Sequence, residues 1–131
     1  MYLLDTNICI YIINKRPIEI IRKINSCKPL EIKISSITVA EMEYGASKSK
    51  NREMNRNALQ RFLSPFEVIN FDAKDAEVYG FIRAELERDG MIIGPYDLQL
   101  AAQALRRGYV FVSNNKKEFQ RISKLKLENW I

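Results

Sequence analysis

The chain has 131 residues, of which 47% are hydrophobic and 28% are charged, so its composition is that of one globular domain. It contains no histidine, which excludes Ser-His and Cys-His nucleophile pairs, histidine-relayed RNA cleavage and histidine-rich zinc sites. The formal charge of +5 favours a polyanionic partner.

The N-terminal segment predicts a buried strand followed by two helices. YLLD at residues 2–5 has the pattern of a short buried strand, and the apolar segment Ile8–Ile13 is expected to form a helix capped by Asp5, Thr6 or Asn7. Pro17 is expected to open the next helix. Because polar residues interrupt the first apolar run, we expect neither a membrane span nor a signal peptide, and a cytoplasmic protein.

The middle of the chain repeats the order of strand and helix. EIKISS at residues 31–36 alternates polar and apolar residues like a strand, and ITVAEMEYGASKS then changes to helical spacing. That helix is expected to end near Gly45. Residues 51–62 form a strongly basic helical pattern, and EVINF after Pro65 predicts a third strand.

The C-terminal half predicts two longer helices and a further strand. Residues 72–89 have the pattern of an amphipathic helix stopped by Gly90, and a second helix is expected from Pro95 to a stop at Gly108. YVFVS predicts a buried strand and NNKKEFQRI a short helical turn. The tail KLKLENWI is expected to add an edge strand or to pack Trp130 against the body.

This alternation predicts the fold class and the core. We expect a single α/β domain over residues 1–131, with a central parallel sheet of about four to five strands flanked by helices on both faces. Cys9 and Cys27 lack CxxC spacing, so we expect them to be core residues rather than metal ligands or a disulfide.

Four acidic residues lie beside strand ends or helix starts. Because ligands bind at the carboxyl ends of parallel strands, these residues are expected to converge there, although far apart in sequence. Each also has an ordinary structural explanation, as a helix cap, a partner of the helix dipole or a solvated residue. Four like charges at one edge would repel one another unless a cation bound among them. The four residues are Asp5, Glu41, Asp97 and Glu118.

The available ligands indicate which cation would bind. Carboxylate, amide and hydroxyl oxygens suit Mg²⁺ or Mn²⁺ rather than zinc, and such ions are typical of phosphate-processing sites. Outside the four acids, the chain is more basic than its total charge suggests, which is typical of a nuclease. Lys116, Lys117 and Tyr96 are the candidate RNA-binding residues because they neighbour the predicted site.

In four segments the sequence resembles the PIN-domain ribonucleases, and among them the VapC toxins of type II toxin-antitoxin modules. The segments are LLDTNICIYII at 3–13, SSITVAEMEYGASKS at 35–49, IRAELERDGMIIGPYDLQLAAQA at 82–104 and VFVSNNKKEFQRISKLKLENW at 110–130.

The resemblance implies a metal-dependent endoribonuclease whose catalytic residues are the same four acids. The fourth is an aspartate in many relatives, so Glu118 is a longer variant of that position. Thr6, Ser113 and Asn115 match the polar positions that order the site. The resemblance also implies a VapB-type antitoxin partner, operator DNA bound only through that antitoxin, a homodimer and an RNA substrate, with transfer RNA expected.

Our mechanistic hypothesis places Mg²⁺ or Mn²⁺ on Asp5 and Asp97, with Glu41 and Glu118 completing the site directly or through water. Because no histidine pair can activate the ribose 2′-hydroxyl, attack by water should leave 5′-phosphate and 3′-hydroxyl ends. The alternative is a catalytically inactive PIN-like binding module. A haloacid-dehalogenase-type phosphotransferase is disfavoured because the first motif lacks a second acid, and a receiver domain because the acidic pair is absent.

Overall fold

The computed structural model describes residues 1–131, and its centre is one five-stranded sheet in the order β3-β2-β1-β4-β5. Every pair of neighbouring strands is parallel, with Tyr2 in register with both Ile32 and Val110. This confirms the predicted sheet, including an edge strand from the C-terminal tail. The strands are β1 (Tyr2–Leu4), β2 (Ile32–Ser35), β3 (Glu67–Ile69), β4 (Val110–Val112) and β5 (Leu127–Glu128).

Seven helices connect and cover the strands. They are α1 (Thr6–Ile13), α2 (Ile18–Ser26), α3 (Ser36–Lys48), α4 (Arg52–Leu63), α5 (Ala73–Arg88), α6 (Pro95–Arg107) and α7 (Lys116–Phe119). A 3₁₀ turn (Pro29–Glu31) precedes β2. None of the helices combines the length and the apolar composition that a bilayer crossing requires.

Two glycines that were predicted to end helices behave differently. Gly108 ends α6 in the left-handed conformation, at φ 70°, as predicted. The predicted end at Gly45 is wrong, because α3 continues to Lys48. Gly45 does not adopt a positive φ, and Ala46 behind it is buried, so packing carries the helix through the glycine.

The core lies on both faces of the sheet because adjacent strand residues point in opposite directions. Leu3 packs in a cluster that includes α5 and α6, whereas Leu4 packs in a second cluster with residues of α1 to α4. Trp130 joins the second cluster, with its ring 5.4 Å from that of Tyr2, so the tail both adds a strand and packs its tryptophan.

The two cysteines differ in burial. Cys9 is a core residue, as predicted. Cys27 is only partly buried at the edge of the second cluster, so its prediction as a core residue is wrong. It ends α2 in an extended conformation, in the turn that leads to the 3₁₀ segment, where one side remains open. Both thiols are free.

A buried ion network fixes α6 against α5. Asp75 is fully buried and lies 2.5 Å from Arg106 Nε and 3.4 Å from Arg107 Nη2. Asp72 accepts from the Asp75 backbone N–H as the cap of α5, and also contacts Arg106 at 3.0 Å. Since a buried carboxylate is costly without partners, this network holds the C-terminal end of α6 in one position. It thereby orients the helix whose first turn carries Asp97.

Candidate active site

Asp5 lies at the carboxyl end of β1 and is 4% exposed. One carboxylate oxygen accepts a hydrogen bond from the Asn7 backbone N–H at 3.1 Å and so caps α1. The other accepts from Ser113 Oγ at 2.6 Å. Burial raises the pKa of Asp5, the hydrogen bond from Ser113 opposes that shift, and the charge of Glu118 adds to it. Asp5 therefore caps a helix and also carries a costly negative charge at the sheet edge.

Thr6, the first residue of α1, joins α1 to α3. Its hydroxyl lies 2.5 Å from Glu41 Oε2, to which it donates, and 3.0 Å from the hydroxyl of Thr38. Thr38 is fully buried one helical turn before Glu41. These contacts hold the Glu41 carboxylate in one orientation. The neighbouring Glu43 instead lies 3.8 Å from Arg56, so only Glu41 of the pair belongs to the site.

Asp97 lies in the first turn of α6 and is partly buried. Burial is the largest cause that raises its pKa, from 3.8 to about 6, and the charges of Asp5, Glu118 and Glu41 raise it further. The other three carboxylates therefore lie within electrostatic range of Asp97. The structure therefore brings together the acids that lie far apart in sequence.

Glu118 is held by a short chain of hydrogen bonds that begins at Asp5. Ser113 Oγ, which donates to Asp5, accepts from the Asn115 backbone N–H at 3.0 Å, and Asn115 Nδ2 donates to Glu118 Oε2 at 2.6 Å. Asn115 makes no side-chain cap to α7, so the ordinary explanation of Glu118 as part of a helix cap does not hold. A side-chain contact within the acidic site takes its place.

A cleft of about 490 Å³ lies against these residues. Three of the four acids line it, namely Asp5, Glu41 and Asp97, whereas Glu118 does not. The cleft also has apolar walls, contributed by the side chains Ile10, Ile13, Met42, Ala46, Ala58 and Leu59. A ligand in this cleft would therefore meet carboxylates on one side and apolar surface on another.

The donor set fits a hard cation, but it is not preassembled. No group of three or more aspartate, glutamate or cysteine side chains lies close enough together to hold one ion. The oxygens are nevertheless of the type that Mg²⁺ and Mn²⁺ prefer, and burial together with three neighbouring carboxylates raises the pKa of Asp97 to about 6. These residues fit an ion held by two carboxylates, with the others adding charge or binding water.

The candidate RNA-binding residues lie on the surface. Lys116 and Lys117 are exposed at the start of α7, and Tyr96 is 60% exposed beside Asp97. None of the three lines the cleft. The sequence reasoning missed Thr38, although its place one turn before Glu41 puts both residues on the same side of α3. It also missed Asn55, which brings α4 to the cleft.

Comparison with known proteins agrees with this architecture. Residues 2–125 match the PIN domain. The chain is 48% identical over 136 residues to Ribonuclease VapC2 of Rickettsia felis, covering 99% of this chain and 98% of the relative. It is 43% identical over 129 residues to the tRNA(fMet)-specific endonuclease VapC of Salmonella typhimurium, covering 98% and 97%.

A solved structure gives the same result. The structure of VapBC2 from Rickettsia felis bound to a DNA fragment from its promoter matches with a TM-score of 0.91 and 47% identity, covering 99% of this chain and 98% of that chain. The domain match extends over nearly the whole chain, and both relatives are more than 40% identical over nearly their full length. The chain therefore belongs to the PIN-domain family, among its VapC members.

Proposed function

We propose that this protein is a metal-dependent endoribonuclease and the toxin of a type II toxin-antitoxin module. The names of its relatives support RNA cleavage as the activity. The observation that carries the proposal is that Asp5, Glu41 and Asp97 line one cleft, where burial first, and then the charges of Asp5, Glu118 and Glu41, raise the pKa of Asp97 to about 6. In a domain that bound nothing at this site, the buried and clustered carboxylates would destabilise the fold without contributing to a function.

We assign the cation to Asp5 and Asp97, with Glu41 and Glu118 contributing directly or through water. Mg²⁺ or Mn²⁺ bound there would neutralise the carboxylates, activate water and balance the charge that develops on phosphate oxygens. The assignment is supported by the two aspartates, whose pKa values are raised, by burial first and by neighbouring carboxylates second, and by a donor set composed of oxygen.

The surrounding side chains would keep the acids in place. Ser113 and Asn115 connect Asp5 to Glu118, and Thr6 orients Glu41, so each acid except Asp97 has a hydrogen-bonded support. Supports of this kind typically change metal affinity or activity by about 10-fold to 100-fold when removed.

The expected products follow from the absence of histidine. No imidazole pair is available to deprotonate the ribose 2′-hydroxyl and to protonate the leaving oxygen. Water is therefore the proposed nucleophile: a bond forms from its oxygen to phosphorus, the bond from phosphorus to the ribose 3′-oxygen breaks, the water gives up one proton and the departing 3′-oxygen takes up one. The fragments carry 5′-phosphate and 3′-hydroxyl ends.

The proposed partners come from the relatives. The Salmonella relative is named for transfer RNA, so transfer RNA is the proposed substrate class. The Rickettsia relative was solved as a VapBC complex on promoter DNA, so we propose a VapB-type antitoxin that carries this chain to operator DNA. A homodimer and a cytoplasmic location complete the proposal.

The test is cleavage of purified transfer RNA, with Mg²⁺ or Mn²⁺ and again with EDTA. We expect cleavage by the wild type that EDTA and Asp5→Asn each abolish, with 5′-phosphate ends. Glu85→Gln is the matched control, since it removes one carboxylate from an exposed position on α5. Cyclic phosphate ends would overturn the water mechanism. Absence of cleavage in the wild type would favour the inactive binding module.

A further inference from the structure

We infer that the turn between α3 and α4, together with α4 as far as Arg61, forms an arm that binds the phosphate backbone of the RNA. We call residues 48–61 the basic arm. This inference rests on the proposed function and goes beyond it by assigning the surface that supplies substrate affinity. In this segment one acidic residue, Glu53, stands against five basic residues: Lys48, Lys50, Arg52, Arg56 and Arg61.

Three of the five cations have neither an acidic nor an aromatic partner in the chain. Lys50, Arg52 and Arg61 are exposed and take part in no salt bridge. By contrast, Arg56 lies 3.8 Å from Glu43, and Lys48 lies over the Tyr44 ring at 4.8 Å. The three unpaired cations line one shallow groove of about 520 Å³.

This groove lies near the acidic cleft, because a second groove shares lining residues with both. Arg52 lines the first groove and also a second groove of about 460 Å³, which it shares with Ala46 and Arg56. Ala46 in turn lines the cleft that contains Asp5, Glu41 and Asp97. A strand of phosphates that enters the cleft would therefore have the basic arm beside it, with Glu53 as the arm's one carboxylate.

The lining of the first groove favours RNA over a protein partner. Only one of its seven residues is hydrophobic, and asparagine amides lie between the cations. Protein interfaces need an apolar centre, whereas nucleic-acid interfaces are polar and strongly positive. A flexible strand of phosphates can follow such a groove by charge alone, since each contact releases a counterion from the strand.

The experiment measures RNA binding separately from cleavage. The binding partner is a fluorescein-labelled single-stranded RNA of mixed sequence, titrated by fluorescence anisotropy in the Asp97→Asn background, which keeps the RNA intact. The arm variant is Lys50→Gln/Arg52→Gln/Arg61→Gln. The control variant Arg22→Gln/Arg88→Gln/Lys126→Gln removes the same charge from exposed positions outside the grooves.

We expect the arm variant to bind RNA at least about tenfold more weakly than the protein with an intact arm. The slope of log affinity against log salt concentration should become shallower by about 2, which is about 0.7 for each of the three lost phosphate contacts. The control should change less than about twofold. With otherwise wild-type residues, the arm variant should raise KM and leave kcat unchanged. The charge-conserving variant Lys50→Arg/Arg52→Lys/Arg61→Lys should restore binding, which separates charge from folding.

Equal weakening in the arm and control variants would overturn the inference, because it would show a general effect of net charge. So would unchanged RNA binding with weaker binding of poly-L-glutamate, which would assign the arm to an acidic protein partner. A wild type that cleaves no RNA would instead refute the proposed function, and the binding comparison would still decide the role of the arm.

Discussion

Replacing Asp97 by asparagine is expected to abolish cleavage and at the same time to stabilise the protein in EDTA. Asp97 has a raised pKa of about 6 in the folded chain, against 3.8 for an unperturbed aspartate, because it is partly buried and faces three other carboxylates. The folded state therefore binds this proton more tightly than the unfolded state does. Its contribution to stability is complete below about pH 4 and is lost as the pH rises through about 6.

The size of the effect follows from the shift. The difference between the two pKa values of Asp97 corresponds to about 3 kcal/mol of unfolding free energy at neutral pH. Solvent screening of a partly exposed group reduces this to about 1 to 2 kcal/mol. For a chain of this length, that gain corresponds to a rise in Tm of about 4 to 8 °C. The asparagine side chain carries no charge at any pH, so the gain should appear near neutral pH and disappear near pH 4.

The assay is urea unfolding followed by circular dichroism in EDTA, for wild type, Asp97→Asn and the surface control Glu85→Gln. We expect Asp97→Asn to raise the midpoint near neutral pH and Glu85→Gln to leave it unchanged. Saturating Mg²⁺ should stabilise the wild type and so reduce the difference in urea midpoint between the wild type and Asp97→Asn. If Asp97→Asn were neutral or destabilising in EDTA near pH 7, the four carboxylates would not repel one another as the structure indicates.

Three further substitutions distinguish residues that position the site acids from residues that stabilise the fold. Thr6→Val removes the donor to Glu41 and should lower kcat by about 10-fold to 100-fold at a cost of about 1 kcal/mol in unfolding free energy, measured by cleavage rate and urea titration. Ser113→Ala leaves Asp5 without its closest hydrogen bond, so calorimetric titration should show weaker Mn²⁺ binding, by about 10-fold or more. Asp75→Asn breaks the buried ion network between α5 and α6 and should cost about 3 kcal/mol, while kcat of the folded fraction stays near that of the wild type.

The elements of the fold were predictable because local chemistry marks them. Pro95 begins α6 and Gly108 ends it, and the alternation in EIKISS marks β2, although all four residues of that strand are buried. Gly45 was mispredicted because a glycine ends a helix only where the chain turns, and the burial of Ala46 keeps α3 continuous. That burial depends on packing against other elements, which sequence spacing does not specify.

The positions of the site acids were predictable for a different reason. A parallel sheet brings its strand ends to one edge, so Asp5 and Ser113, 108 positions apart, meet through a 2.6 Å hydrogen bond. What local patterns cannot specify is how far the carboxylates remain apart. The role of Asn115 also required the structure, since the same spacing fits a helix cap and a contact to Glu118.

The basic arm shows a further limit of the sequence. Its charge is visible in residues 48–61, but charge runs usually form solvated faces. Only the structure distinguishes Arg56, which has an acidic partner, from Lys50 and Arg52, which have none. The position of the grooves beside the cleft likewise depends on how α3 and α4 pack together.

The most direct test of the central claim is Mn²⁺ binding measured by electron paramagnetic resonance, because the signal of free Mn²⁺ falls as the ion binds. The wild type and Glu85→Gln should bind Mn²⁺ saturably with equal affinity, and Asp5→Asn and Asp97→Asn should each bind at least about tenfold more weakly. Equal binding by all four proteins, or no binding by the wild type, would contradict the assignment of a cation to these carboxylates.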